Sequence, residues 1–185
     1  MKRLFAALKF HPDKSFLASF NKLKFTLQHE QIKWVEEKNI HITLKFFGDT
    51  DERKIPVIRE VLSALTPVFT SFEISLQNLG VFGSSYSPKV IWTGIEPYAD
   101  VSRLMQILHH DLEGVGFLSD RQNLIPHLTL GRIRFLKDRI LFRKIIDQHG
   151  KIQSAPEKVS EIILFESILR HDGPDYRIID RFPLA

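Results

Sequence analysis

One tetrapeptide occurs twice in this chain: His41-Ile42-Thr43-Leu44 and, 86 residues on, His127-Leu128-Thr129-Leu130. With eight histidines and seven threonines in 185 residues, chance supplies only about 0.3 His-x-Thr triplets, and about 0.06 with apolar residues in the other two places. The order of elements repeats at the same offset. Residues 3–10 read as a strand, 12–28 as a helix opened by Pro12 and Asp13, 40–47 as a strand, 51–65 as a helix with Pro56 in its first turn, and 72–79 as a strand. The second half runs through strand 89–95, helix 98–113, strand 127–134, helix 138–149 and strand 159–165. A Gly173-Pro174 turn then leads into Tyr176-Arg177-Ile178-Ile179, which should pair with 159–169 as a hairpin. Strand, helix, strand, helix, strand, twice over, predicts one two-lobed domain spanning residues 1–185.

On a strand, side chains alternate between faces. His41 and Thr43 therefore share one face while Ile42, Leu44 and Phe46 anchor the other, and His127 and Thr129 stand likewise against Leu128 and Leu130. If the halves are pseudo-symmetric, the two polar faces meet across a cleft, with an imidazole on each side of one anion. That geometry suits in-line displacement at phosphorus. A neutral imidazole takes the proton of an attacking water, and an imidazolium protonates the departing oxygen. The threonine hydroxyls can hold the non-bridging oxygens. The scheme needs no metal and no cofactor, and the sequence has neither His-x-His nor His-Glu-x-x-His.

A lone His-x-Thr on a strand is most often an ordinary half-buried histidine; duplication at equivalent places argues otherwise. His11, His29, His109, His110, His149 and His171 lack the pattern and are assigned to surface or loop positions. Arg132 and Arg134 have the wrong parity to share the face of His127, unless a bulge at Gly131 turns Arg132 into the cleft. The stretch Arg132–Lys144 holds six basic residues and one acid, Asp138, which fits a solvated helix face or contact with an RNA backbone. Trp34, Phe47, Tyr86 and Trp92 could stack on a base, although core packing is the simpler role for each.

Composition sets wider bounds. The 26 Lys+Arg against 22 Asp+Glu give a net charge of +4 and a pI near 9.3, which admits an anionic partner without requiring one. The absence of cysteine excludes thiolate nucleophiles and Cys-ligated zinc and fits the cytoplasm. The apolar stretch after Met1-Lys2-Arg3 is cut short by Lys9 and reads as a first strand, and no segment is long enough to span a membrane.

The chain resembles the bacterial and archaeal RNA 2′,3′-cyclic phosphodiesterases, once described as 2′-5′ RNA ligases, within the 2H phosphoesterase superfamily. The resemblance runs through Arg3-Leu4-Phe5-Ala6-Ala7-Leu8, Trp34-Val35, Asn39-Ile40-His41-Ile42-Thr43-Leu44-Lys45-Phe46-Phe47-Gly48 and Val90-Ile91-Trp92-Thr93-Gly94. It continues through Pro126-His127-Leu128-Thr129-Leu130-Gly131-Arg132 to Leu164-Phe165-Glu166-Ser167 and Gly173-Pro174-Asp175-Tyr176. It implies a bilobal α+β fold, with two antiparallel sheets lining a central cleft and helices outside. It also implies hydrolysis of RNA ends carrying a 2′,3′-cyclic phosphate to the 2′-phosphate, with 2′-5′ ligation as the reverse reaction. His41 would be the proton donor and His127 the acceptor, with Thr43, Thr129 and Arg132 on phosphate. Gly131 departs from the alanine usual there. The chain is expected to work as a monomer without an obligate protein partner. The alternatives are a nucleotide- or RNA-binding module that uses the same cleft without turnover, and a basic structural protein, which leaves the duplicated tetrapeptide unexplained.

Overall fold

The computed structural model describes residues 1–118, 124–171 and 173–185. The chain opens with β1 (Lys2–Lys9), both faces of which are buried. Leu4, Ala6 and Leu8 enter the main core, while Phe5 and Ala7 pack with Ile163 and Phe165 in a small cluster on the other face. Asp13 then caps α1 (Lys14–Thr26), its carboxylate accepting from the amides of Ser15 and Phe16 at 2.8 and 3.1 Å; an oxygen there satisfies amides that have no partner within the helix. Next come β2 (Gln31–Trp34), β3 (His41–Thr50) and α2 (Ile55–Leu65) with Pro56 in its first turn. The second half holds β4 (Phe72–Gly83), β5 (Pro88–Glu96), α3 (Tyr98–Gly114), β6 (Leu128–Phe135) and α4 (Arg139–Gln148), the last capped by Asp138. The strands β7 (Glu157–Val159), β8 (Glu161–Leu169) and β9 (Pro174–Pro183) close the chain. Each helix sends an apolar stripe into the main core, as Val101, Leu104, Met105, Leu108 and Leu112 do from α3.

All pairings are antiparallel, in the order β7-β4-β5-β6-β3-β1-β8-β9, with β2 on β6. The expected α+β architecture is present, with one refinement: the two sheets are continuous through a single bridge, Ile42 to Leu128. Beyond that bridge β3 parts from β6, and β2 takes over the vacated edge from Gly131 onward. On either side the order is the same: motif strand, opening strand, third strand, outer strand. The third strands are exchanged, however. β4 comes from the first half of the sequence and pairs with β5, while β8 comes from the second half and pairs with β1. Each side of the fold is thus built from both halves of the repeat.

Candidate active site

The register around the Ile42–Leu128 bridge decides where the paired motifs stand. In an antiparallel pair, a partner match at 42 and 128 sets His41 across from Thr129 and Thr43 across from His127. The leucine and isoleucine of the bridge point into the core, fully buried, so the two histidines and two threonines share the opposite face about a local dyad. His127 lies one residue before β6 rather than within it.

Both imidazoles are held in the same way. His41 Nδ1 lies 2.6 Å from the Asn39 carbonyl, and His127 Nδ1 lies 2.8 Å from the Ile125 carbonyl, in each case the carbonyl two residues earlier. A carbonyl only accepts, so Nδ1 carries the hydrogen in both rings, and Nε2 is left to take or give a proton. Asn39 is itself fixed, its amide donating to the Pro174 carbonyl at 3.1 Å. Aromatic rings wall each imidazole. His41 lies 5.0 Å from Phe5 and 5.3 Å, edge-on, from Tyr176; His127 meets Phe82 edge-on at 4.8 Å and Trp92 at 6.1 Å. Burial lowers both pKa values. That of His41 falls to about 4, its hydrogen bond to Asn39 opposing the shift and the charges of Lys9, Arg132 and His127 adding to it. His127 is lowered by burial and by Arg132, against its bond to Ile125. Desolvation penalises the imidazolium, so burial favours the neutral form of both rings.

A cavity of about 400 Å³ between the motifs is lined by Thr43, Phe46, Phe82, His127, Thr129 and Arg132, among others. His41 borders a neighbouring hollow of about 260 Å³ with Lys9, Asn39, Phe165 and Tyr176. Arg132 reaches the cleft because β6 does carry a bulge. Trp92 pairs with Thr129 and Ile91 with Gly131, so Leu130 is the extra residue, one place before the glycine predicted to host it. The bulge reverses the parity, and Ile133 rather than Arg132 packs on the core.

Two assignments are corrected. Phe46, expected to anchor the core with Ile42 and Leu44, is 40% exposed and lines the 400 Å³ cavity, because β3 carries an extra residue at Leu44 that reverses the parity beyond it. His109 is not a surface residue: it is 6% exposed on α3, its Nε2 donates to the Leu44 carbonyl at 3.0 Å, and it lines the 400 Å³ cavity. The signal was present, since 101, 104, 105, 108, 109 and 112 follow helical spacing and 109 lies on the apolar stripe. His11, His29, His110 and His171 are exposed, and His149 is half-buried just after α4. Trp34 and Phe47 pack against the main core, Tyr86 is 81% exposed in the β4–β5 turn, and Trp92 stacks on Phe82 at 4.8 Å. Phe5, Phe82, Lys45 and Tyr176 escaped sequence reasoning because single aromatic or basic residues carry no local pattern. Among the described residues, no group of three or more His, Asp or Glu is placed to hold a metal, and no helix is long and apolar enough to cross a membrane.

The fold is that of the 2H phosphoesterases. The TT0787 protein of Thermus thermophilus superposes with a TM-score of 0.78 at 21% identity, covering 98% of this chain and 97% of that one. Escherichia coli LigT complexed with 3′-AMP superposes with a TM-score of 0.75 at 18% identity, covering 100% and 98%. The pattern of the 2′-5′ RNA ligase superfamily matches residues 12–167, and the chain belongs to that family. Relatives include the RNA 2′,3′-cyclic phosphodiesterase of Methanothermobacter thermautotrophicus, 34% identical over 83% of each chain. That of Thermotoga maritima is 33% identical over 79% of this chain and 76% of its own.

Proposed function

We propose that this chain hydrolyses the terminal 2′,3′-cyclic phosphodiester of RNA to a 2′-phosphate, by proton transfer through His41 and His127. The observation that carries this is the dyad at the Ile42–Leu128 bridge, which sets both histidines and both threonines on one face, with Thr43, His127 and Thr129 lining one cavity and His41 bordering the hollow beside it. Water attacks phosphorus as His127 Nε2 takes its proton; the P–O3′ bond breaks as His41 Nε2 gives a proton to O3′. The two rings end with their protonation exchanged and re-equilibrate with solvent. Thr43, Thr129 and Arg132 bind the non-bridging oxygens. The substrate's own negative charge opposes the burial that keeps His41 neutral, and so loads the acid when the cleft is filled. The orientation of the ribose, and with it the assignment of His41 to O3′, rests on kinship with the named phosphodiesterases. The chain acts as one two-lobed domain, as a monomer and in the cytoplasm, consistent with a sequence that has no cysteine. The test is digestion of an oligonucleotide ending in a 2′,3′-cyclic phosphate, with the product compared by phosphorus NMR with 2′- and 3′-phosphorylated standards. A 2′-phosphate is expected. A 3′-phosphate would reverse the ribose assignment, and binding without turnover would make the protein an RNA-binding module.

A further inference from the structure

The two tetrapeptides share a defect in their strands. β1 pairs Ala7 with Thr43 and Ala6 with Lys45, so Leu44 is the extra residue of a bulge, just as Leu130 is when β5 passes from Thr129 to Gly131. A bulged residue leaves the ladder, and its buried backbone groups must find partners elsewhere. The two sides meet that need differently. The Leu130 carbonyl accepts from the backbone amide of Val35, immediately after β2, at 2.8 Å. The Leu44 carbonyl accepts from a side chain, His109 Nε2. One residue further, Lys45, only 4% exposed, donates from Nζ to the Leu118 carbonyl at 2.6 Å. The bulge in β3 is therefore pinned to α3, and to the residues just past it, by two side-chain donors.

We infer that His109 is a positioning residue for the phosphate subsite, its Nε2–H fixing the Leu44 carbonyl and thereby the direction in which Thr43 and Phe46 point. The bulge buries Leu44 and Lys45 in succession and returns Phe46 to the cleft beside Thr43, as the other bulge returns Arg132 beside Thr129. Removing the donor leaves a buried carbonyl unpaired, a state a strand relieves by rotating the peptide. Thr43 is joined to that residue directly and moves with it. Small displacements of a group that holds the reacting phosphate are costly in rate. The activity readout rests on the phosphodiesterase reading above; the ligand-binding readout does not.

The test compares H109Q, whose amide nitrogen reaches about where Nε2 stood, with H109M, which fills similar space without a donor. kcat and KM are measured on a cyclic-phosphate-ended dinucleotide, affinity for inorganic phosphate by NMR titration, and Tm alongside. H109M should lose roughly 10–30-fold in kcat/KM and bind inorganic phosphate several-fold more weakly, well below its own Tm, with H109Q restoring both. Wild-type kcat/KM and phosphate affinity in H109M, whatever its Tm, would reduce His109 to packing. An H109Q as impaired as H109M would show that the donor is not what matters. If H109M does not fold, H109N takes its place, its amide one methylene too short to reach Leu44; parity with H109Q would then overturn the inference. Absence of cyclic-phosphate turnover in the wild type would instead strike the phosphodiesterase reading and leave phosphate affinity to decide on His109.

Discussion

The two motif strands present the same four residues on the same backbone, yet their surroundings differ. In both, the ring is oriented by the carbonyl two residues back and the final leucine is bulged out of the ladder. Around His41, Phe5, Phe165 and Tyr176 form a tight aromatic group, with Phe5 stacked on Phe165 at 5.1 Å and edge-on to Tyr176 at 4.9 Å. Around His127, among the described residues, stand Phe82 and Trp92. The deeper desolvation falls on His41. The duplicated backbone therefore makes the two imidazoles equivalent in tautomer and aim, while side chains from outside the motif decide where a proton resides.

The harshest way to break this comparison is to delete each ring in turn. His41→Ala and His127→Ala should each lower kcat by roughly 10²–10⁴-fold, and the double variant should be scarcely worse than the poorer single one, because groups that act as a unit are not additive. Steady-state kinetics on a cyclic-phosphate-ended oligonucleotide checks this. Near wild-type turnover in either single variant would end the equivalence of the two motifs.

That equivalence was largely legible in the sequence, since a strand alternates faces and the tetrapeptide fixes which residues face out. The helices were legible too, from the spacing of residues such as Ile58, Val61, Leu62 and Leu65. The exchange of β4 and β8 was not, because strand pairing is non-local and neither sequence names its partner. The short strands β2 and β7 carry too few residues for a periodic signal. Arg132 was placed on the wrong face by simple parity, and only the suspicion of a bulge near Gly131 brought it back. His109 is the opposite case: it lacks the His-x-Thr pattern, and its burial is legible only in the helical spacing it shares with Val101, Met105, Leu108 and Leu112.

A milder test sharpens the comparison through pH. An imidazole whose pKa is lowered by burial loses its proton at a lower pH than a free one. The proposed mechanism needs one ring charged and one neutral, a state whose population peaks between the two pKa values. With His41 near 4 and His127 also below 6.5, kcat/KM, which reports the free enzyme, should be bell-shaped with a maximum below pH 6.5. The kcat profile should be displaced to higher pH, since bound phosphate favours both imidazolium forms. Titration of the imidazole resonances by NMR, with and without inorganic phosphate, checks the assignment. His41 should titrate below His127 in the empty cleft, and phosphate should raise both. If His41 titrated above His127, the aromatic group around His41 would not be what distinguishes the two sides.

The smallest effects should separate the wall of the cleft from the packing behind it, using two glycines close to the second motif. A Cβ at Gly80 would come within 2.2 Å of the Trp92 ring, whereas one at Gly131 would come within 2.8 Å of the Trp34 ring and 2.9 Å of Ile32 Cγ2. Both substitutions force an aromatic ring to move, and each should destabilise by about 1–3 kcal/mol. The consequences for activity should diverge. Trp92 stacks on Phe82, and both abut His127, so Gly80→Ala should lower kcat/KM several-fold at temperatures where the protein is fully folded. Trp34 packs edge-on against Phe20 at 5.8 Å, on the core side of the sheet, so Gly131→Ala should lower Tm while leaving kcat/KM within about twofold. Thermal unfolding and initial rates on the same preparations measure both. Equal losses of activity in the two variants would mean that strain reaches His127 through the backbone of β6 as readily as through the aromatic wall. The side chains around the second motif would then no longer explain how it differs from the first.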